Sequence, residues 1–144
     1  MMFEIFLIIC GLIIGLGAVT VIDIHGFLGQ KSKYWTEATT RTHKVTKPLI
    51  WIGTIVYFIG AILFYSRLHS FLVLPITGMF ILMTVNGLFL SFYVSPRLLK
   101  REQEGKASEL LDSSMQIKIK ISFICSFLLW WSQVILFAYK ISGN

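Results

Sequence analysis

Residues Asp23 to Pro48 read DIHGFLGQKSKYWTEATTRTHKVTKP, and this polar stretch decides how the rest of the chain is understood. It separates two long apolar runs. It carries His25 and His43, two of the three histidines, and five of the thirteen basic residues. Glu37 is its only acid apart from Asp23 at its edge. Gly26 and Gly29 predict a helix break, and the residues from Thr36 onward predict a second, short helix. Within that helix Glu37 and Arg41 stand at i,i+4. Trp35, Ala38, Thr42 and Val45 form a weak apolar stripe, which suits a helix lying in a membrane interface. Tyr34 and Trp35 are aromatics expected at headgroup depth.

Outward on one side lies the run Phe3 to Ile24, the length a helix needs to cross a bilayer. A secretory signal would carry a basic start and a small-residue cleavage site. This run carries Glu4 and ends in Asp23-Ile24-His25, so it predicts a retained helix. Gly11 and Gly15 are spaced for close helix packing. Outward on the other side, Pro48 suits the first turn of a span over 49–66. A short turn, Arg67 to Ser70, then forces the next span, 71–94, to lie antiparallel beside it. Pro96 marks its exit, or the helix continues to Gly105, a natural stop. After a second polar connection, Ser113 and Gln116 resemble a capping box that opens the last span, 117–139.

The composition agrees: 56% of the 144 residues are hydrophobic and 14% charged, against about a quarter charged in soluble domains. The expectation is one domain over 1–144, an all-α integral membrane four-helix bundle made of two antiparallel hairpins. Of the thirteen basic residues, all but Arg67 and Lys140 fall in or beside the two polar connections. The positive-inside rule then puts those connections in the cytoplasm and both termini outside (N-out/C-out). This asymmetry argues against a dual-topology dimer. The net charge of +6 reflects orientation and contact with anionic lipid headgroups on the cytoplasmic side, not nucleic acid. The expected location is the inner membrane of a bacterium, with a membrane protein partner or a second copy as further partners. Cys10 and Cys125 are single and sit in apolar runs, so disulfide chemistry is set aside.

Three sets of residues can carry chemistry. His25 and His43 fall near one membrane face and can hold haem b or a divalent metal, with Asp23 as a further ligand or as an acceptor behind them. The plain alternative is that both are solvated interfacial residues. Thr84, Asn86, Ser91 and Gln133 are polar positions within the spans. They either line a polar path or join helices by hydrogen bonds. Lys31 to Lys47 and Arg97 to Lys106 form the basic surface. No motif assigns a catalytic reaction.

Gly17-Ala18, the basic connection with Arg41, Ile50-Trp51-Ile52-Gly53 and Gly60 resemble the first hairpin of the copper-resistance-D-type and oxygen-independent protoporphyrinogen-oxidase-type membrane proteins. The resemblance covers the first half of the chain. It implies a multi-helix bacterial membrane protein linked to copper or haem. This chain has no histidine deep in its first helix, so no ligand residue follows from it. Three functions stand open: a haem- or metal-binding membrane protein, a non-catalytic accessory or assembly subunit, and a small proton-linked transporter using Asp23.

Overall fold

The structure, a computed structural model, describes residues 1–67 and 71–142. The turn expected at Arg67–Ser70, with His69, falls largely on residues 68–70, outside the described residues. The elements are α1 (Met2–Gly29), α2 (Lys33–Arg67), α3 (Val73–Leu88), a π-helical turn (Phe89–Val94), α4 (Ser95–Gln103) and α5 (Ser113–Ile141). Among the described residues every regular element is helical. Four helical stretches are long and apolar enough to cross a membrane: Met2–Gly29, Lys33–Arg67, Val73–Gln103 and Ser113–Ile141.

The opening stretch is not a loop with a short surface helix. α1 runs unbroken through Gly26 to Gly29, and α2 starts at Lys33, so only residues 30–32 connect them. The reason is tertiary. At Gly26 the ring of Phe123 occupies the place a Cβ would take, and Gly29 lies against Thr39 Oγ1 and the Trp35 backbone. A helical glycine costs about 1 kcal/mol relative to alanine, and these contacts offset it. The Thr36 hydroxyl closes the turn, 2.7 Å from the Gly29 carbonyl and 3.0 Å from that of Ser32. The face of α2 turned inward here is made of Thr36, Thr40 and Thr46, all buried, whereas Val45 of the expected stripe is exposed. The expected Glu37–Arg41 pair is present at 2.6 Å.

Pro48 accordingly sits inside α2, not at its start. At 1.5 Å per residue, the 35 residues of α2 span about 52 Å, well beyond a hydrocarbon core of about 30 Å. Of the two readings at Pro96, exit or continuation to Gly105, the structure shows the continuation. A π turn precedes it, in which the Ser95 N–H reaches back to the Leu90 carbonyl, and helix continues to Gln103. Pro96 has no N–H to offer the next carbonyl in that series, Ser91. The Lys47 ammonium takes it at 3.2 Å instead. Gly105, at φ 73°, ends the segment as the sequence predicts. The capping residue of α5 is Asp112, one earlier than expected: its carboxylate accepts from Met115 N at 3.0 Å, and Gln116 donates to the Leu111 carbonyl at 2.7 Å.

α1 and α2 are in close contact away from this basic end. Gly11 meets the Tyr57 backbone, Gly15 meets Gly53, and Gly60 meets Ile8, so residue numbers rise along one helix as they fall along the other. A Cβ at Gly11, Gly15 or Gly53 would overlap its neighbour. The packing reading of Gly11 and Gly15 therefore holds. α5 crosses α1 with Trp130 seated on Gly15. Ile8, Tyr57, Ala61, Phe64 and Phe137 close the core at the N-terminal end of α1. Much of the outer surface is apolar, including Ile13, Leu74, Val85 and Ile135, as a lipid-facing surface requires.

Candidate polar site at the basic end of the bundle

The glycine contacts give way, toward the basic end, to two adjoining clefts that share Ile22 and Leu90. The inner cleft has a free volume of about 40 Å³ and is bordered by Asp23, Trp51, Thr54, Asn86, Ser126 and Trp130. Asp23 is only 5% exposed, and its Oδ2 has no hydrogen-bond partner. The surroundings explain why. Thr54 donates to the Ile50 carbonyl at 2.7 Å. Trp51 Nε1 donates to Ser91 Oγ at 3.0 Å. Asn86 and Ser122 satisfy each other: the Ser122 hydroxyl donates to Asn86 Oδ1 at 2.6 Å, and Asn86 Nδ2 donates to the Ser122 carbonyl at 3.1 Å. The Thr54, Trp51, Asn86 and Ser122 donors are directed elsewhere, and among the described residues no basic group stands within ion-pair distance of Asp23. A buried carboxyl without a partner is costly. On its other side Asp23 borders an apolar groove between Thr20, Ile24, Phe27, Phe123 and Phe127.

The second cleft, also about 40 Å³, lies between the helix extensions and the start of α5. Its walls are mostly apolar, with Val94, Leu98, Ile119 and Phe123 among them. Two polar atoms are buried in this region without partners, Gln30 Nε2 and His43 Nε2. The nearby hydroxyls of Thr36 and Thr39 are occupied by main-chain carbonyls. A recess of this size with unmatched polar groups has room for water.

The structure does not gather Asp23, His25 and His43 into one ligand set. Once α1 continues as helix, residues two apart project about 200° from each other. Asp23 thus borders the inner cleft, while His25 holds its Nδ1 2.8 Å from the Val21 carbonyl and its ring centre 5.3 Å from that of Trp35, edge to face. A carbonyl only accepts, so Nδ1 carries the proton in that contact. His43 turns into the second cleft, which His25 does not border. Among the described residues, no group of three or more His, Cys, Asp or Glu could hold a metal ion.

The polar positions within the spans divide. Asn86 and Ser91 join helices next to the Asp23 cleft. Gln133, fully buried, accepts from the Tyr57 hydroxyl at 2.5 Å, farther toward the other end. Thr84 donates to the Phe80 carbonyl of its own helix. Joining helices is thus what Asn86, Ser91 and Gln133 do here. Gln30 and the Lys47–Ser91 contact were not anticipated. The helical spacing of Asp23, Gly26 and Gln30 carried that signal, hidden by the assumption that the glycines end the helix. At the far end Glu4, only 4% exposed, meets Arg67 at 2.9 Å and the Met1 amino group at 2.5 Å.

No family model matches the chain, and neither a curated protein nor a solved structure matches it.

Proposed function

We propose that this chain is a small proton-linked carrier of a cell membrane, in which Asp23 is the carboxyl that takes up and releases the coupling proton. The observation that carries the reading is the Asp23 carboxyl itself. It is buried near the end of an apolar span, has a bare Oδ2, faces no cation and borders open space. An ionisable group kept in such a place is a functional site by default, because evolution has a cheap neutral substitute in asparagine. The second cleft supports access from the basic end, since it adjoins the first at Ile22 and Leu90. The accompanying layout is a bacterial inner-membrane protein with its basic end in the cytoplasm, both termini outside and its spans paired as two antiparallel hairpins.

The test is proton entry into proteoliposomes holding a trapped pH dye, driven by an imposed potential. Wild-type protein should raise the rate well above that of empty vesicles, and Asp23→Asn should lower it at least about tenfold. Wild-type vesicles no leakier than empty ones, or an Asp23→Asn variant as active as wild type, would sink the proposal.

A haem or metal reading retains one observation in its favour, the unpartnered Nε2 of His43 in an apolar recess. It ranks second because His25, the proposed second ligand, does not border the recess into which His43 turns. A visible-region absorbance spectrum with metal analysis decides it: without a Soret band or bound metal, it fails. An accessory-subunit role makes no demand on Asp23, and would be favoured by full function of Asp23→Asn in cells.

A further inference from the structure

A different part of the molecule carries a second site. Where α4 leaves the apolar zone, a cleft of about 340 Å³ opens between it and the start of α5, bordered by Tyr93, Arg97, Lys100, Arg101, Met115 and Lys118. Glu104 and Asp112 also border it, but both are engaged: Glu104 with Lys100 at 4.0 Å and Lys106 at 3.4 Å, Asp112 as the cap of α5. Arg101 is directed at the main chain, reaching the Glu109 carbonyl at 2.8 Å. Arg97 and Lys118 remain. Among the described residues neither has a carboxylate within ion-pair distance.

These two cations are nonetheless held side by side. The Arg97 guanidinium lies 3.6 Å from the Tyr93 ring centre and donates to the Tyr93 carbonyl at 2.7 Å. The Lys118 ammonium is 5.5 Å from the same ring and donates to the Tyr93 hydroxyl at 3.3 Å. Like charges gathered on one aromatic ring repel unless an anion lies between them. Guanidinium and ammonium together match a phosphate, the first as a planar fork and the second as a point charge. Beside Lys118 an open groove is lined by Phe89, which stacks on Tyr93, and by Ile121 and Cys125, and Ile117 and Ile121 are exposed. Acyl chains fit there.

We propose that this cleft binds the phosphodiester headgroup of an anionic phospholipid, gripped by Arg97 and Lys118 over Tyr93, with the lipid tails against Phe89 and Ile121. Basic recesses between helices at a membrane surface bind such headgroups, and each cation contributes about tenfold or less. The site is independent of Asp23, and its failure leaves the carrier reading untouched.

The test uses the full chain in nanodiscs of mixed phosphatidylglycerol and phosphatidylcholine, with bound lipids counted by native mass spectrometry. Wild-type protein should retain phosphatidylglycerol in preference. Arg97→Gln with Lys118→Gln should lower that retention about tenfold or more. The charge-keeping pair Arg97→Lys with Lys118→Arg should hold most of it, and Lys31→Gln with Lys33→Gln, at the other connection, should keep it all. Lys118→Gln alone, at an exposed position, should lower retention about threefold and guards against a double variant that fails to fold. Equal retention by wild type and both Lys118 variants would overturn the proposal, as would equal loss in the Lys31/Lys33 variant. Inorganic phosphate binding at the cleft without any lipid preference would overturn it too, in favour of a soluble anion.

Discussion

Around Gly15 and Gly53, α1 and α2 touch backbone to backbone; around Asp23 and His43, a few turns away, the same two helices border unfilled space. The close end is tightly filled, although Tyr65 Oη and Gln133 Nε2 are buried there without partners. Its one buried amide, Gln133, faces the Tyr57 hydroxyl, and its glycines leave no room for a methyl group at the contact. The open end carries bare polar atoms on Asp23, Gln30 and His43, together with a π turn and two prolines that interrupt main-chain bonding. Tight contact and open space are thus separated along a single pair of helices. Lipid cannot satisfy a polar group, and the bare polar atoms of the open end, unlike those of the close end, have space beside them.

The strongest way to break this contrast is Gly15→Leu. A side chain there would meet Gly53 and Trp130, and overpacking of this kind should cost about 3 kcal/mol or more. We expect loss of a monodisperse species in detergent; a folded Gly15→Leu variant would mean the contact is not tight. Asp23→Asn should act in the opposite direction, stabilising the protein by about 1–3 kcal/mol while abolishing proton entry. A thermal unfolding series in detergent reads the sign, and destabilisation would show that Asp23 has a partner after all. Tyr57→Phe leaves Gln133 Oε1 without its donor and should cost about 1–2 kcal/mol in the same assay. Lys47→Met strips the Ser91 carbonyl of its partner, at about 0.5–1.5 kcal/mol. Its sharper signature is faster amide exchange confined to the π turn. The smallest effect belongs to Gly17→Ala. No atom stands near that glycine, so alanine should be neutral or stabilising by about 0.5–1 kcal/mol.

The parts of this architecture that follow from local rules were readable from residues alone. Apolar length exposed the spans, the Gly11–Gly15 spacing exposed the close contact, and Gly105 exposed a helix end. What resisted reading depends on distant neighbours. Gly26 stays helical because Phe123, far along the chain, fills the space beside it. α2 passes through Pro48 because a threonine face packs it onto α1 below the break. Those two errors hid the candidate site: with α1 ended at Ile24, Asp23 and His25 look like neighbours, whereas a continuous helix turns them apart.

The unbroken course of α2 through Pro48 has a mechanical consequence. From Gly53, where it is gripped, to Lys33 is about 30 Å of continuous helix. A tilt of about 5° at the grip would carry the Lys33 end roughly 2.6 Å sideways, about the width of a water molecule. The glycine contact is then a fulcrum, and a movement too small to loosen it is large enough to open or shut the far end.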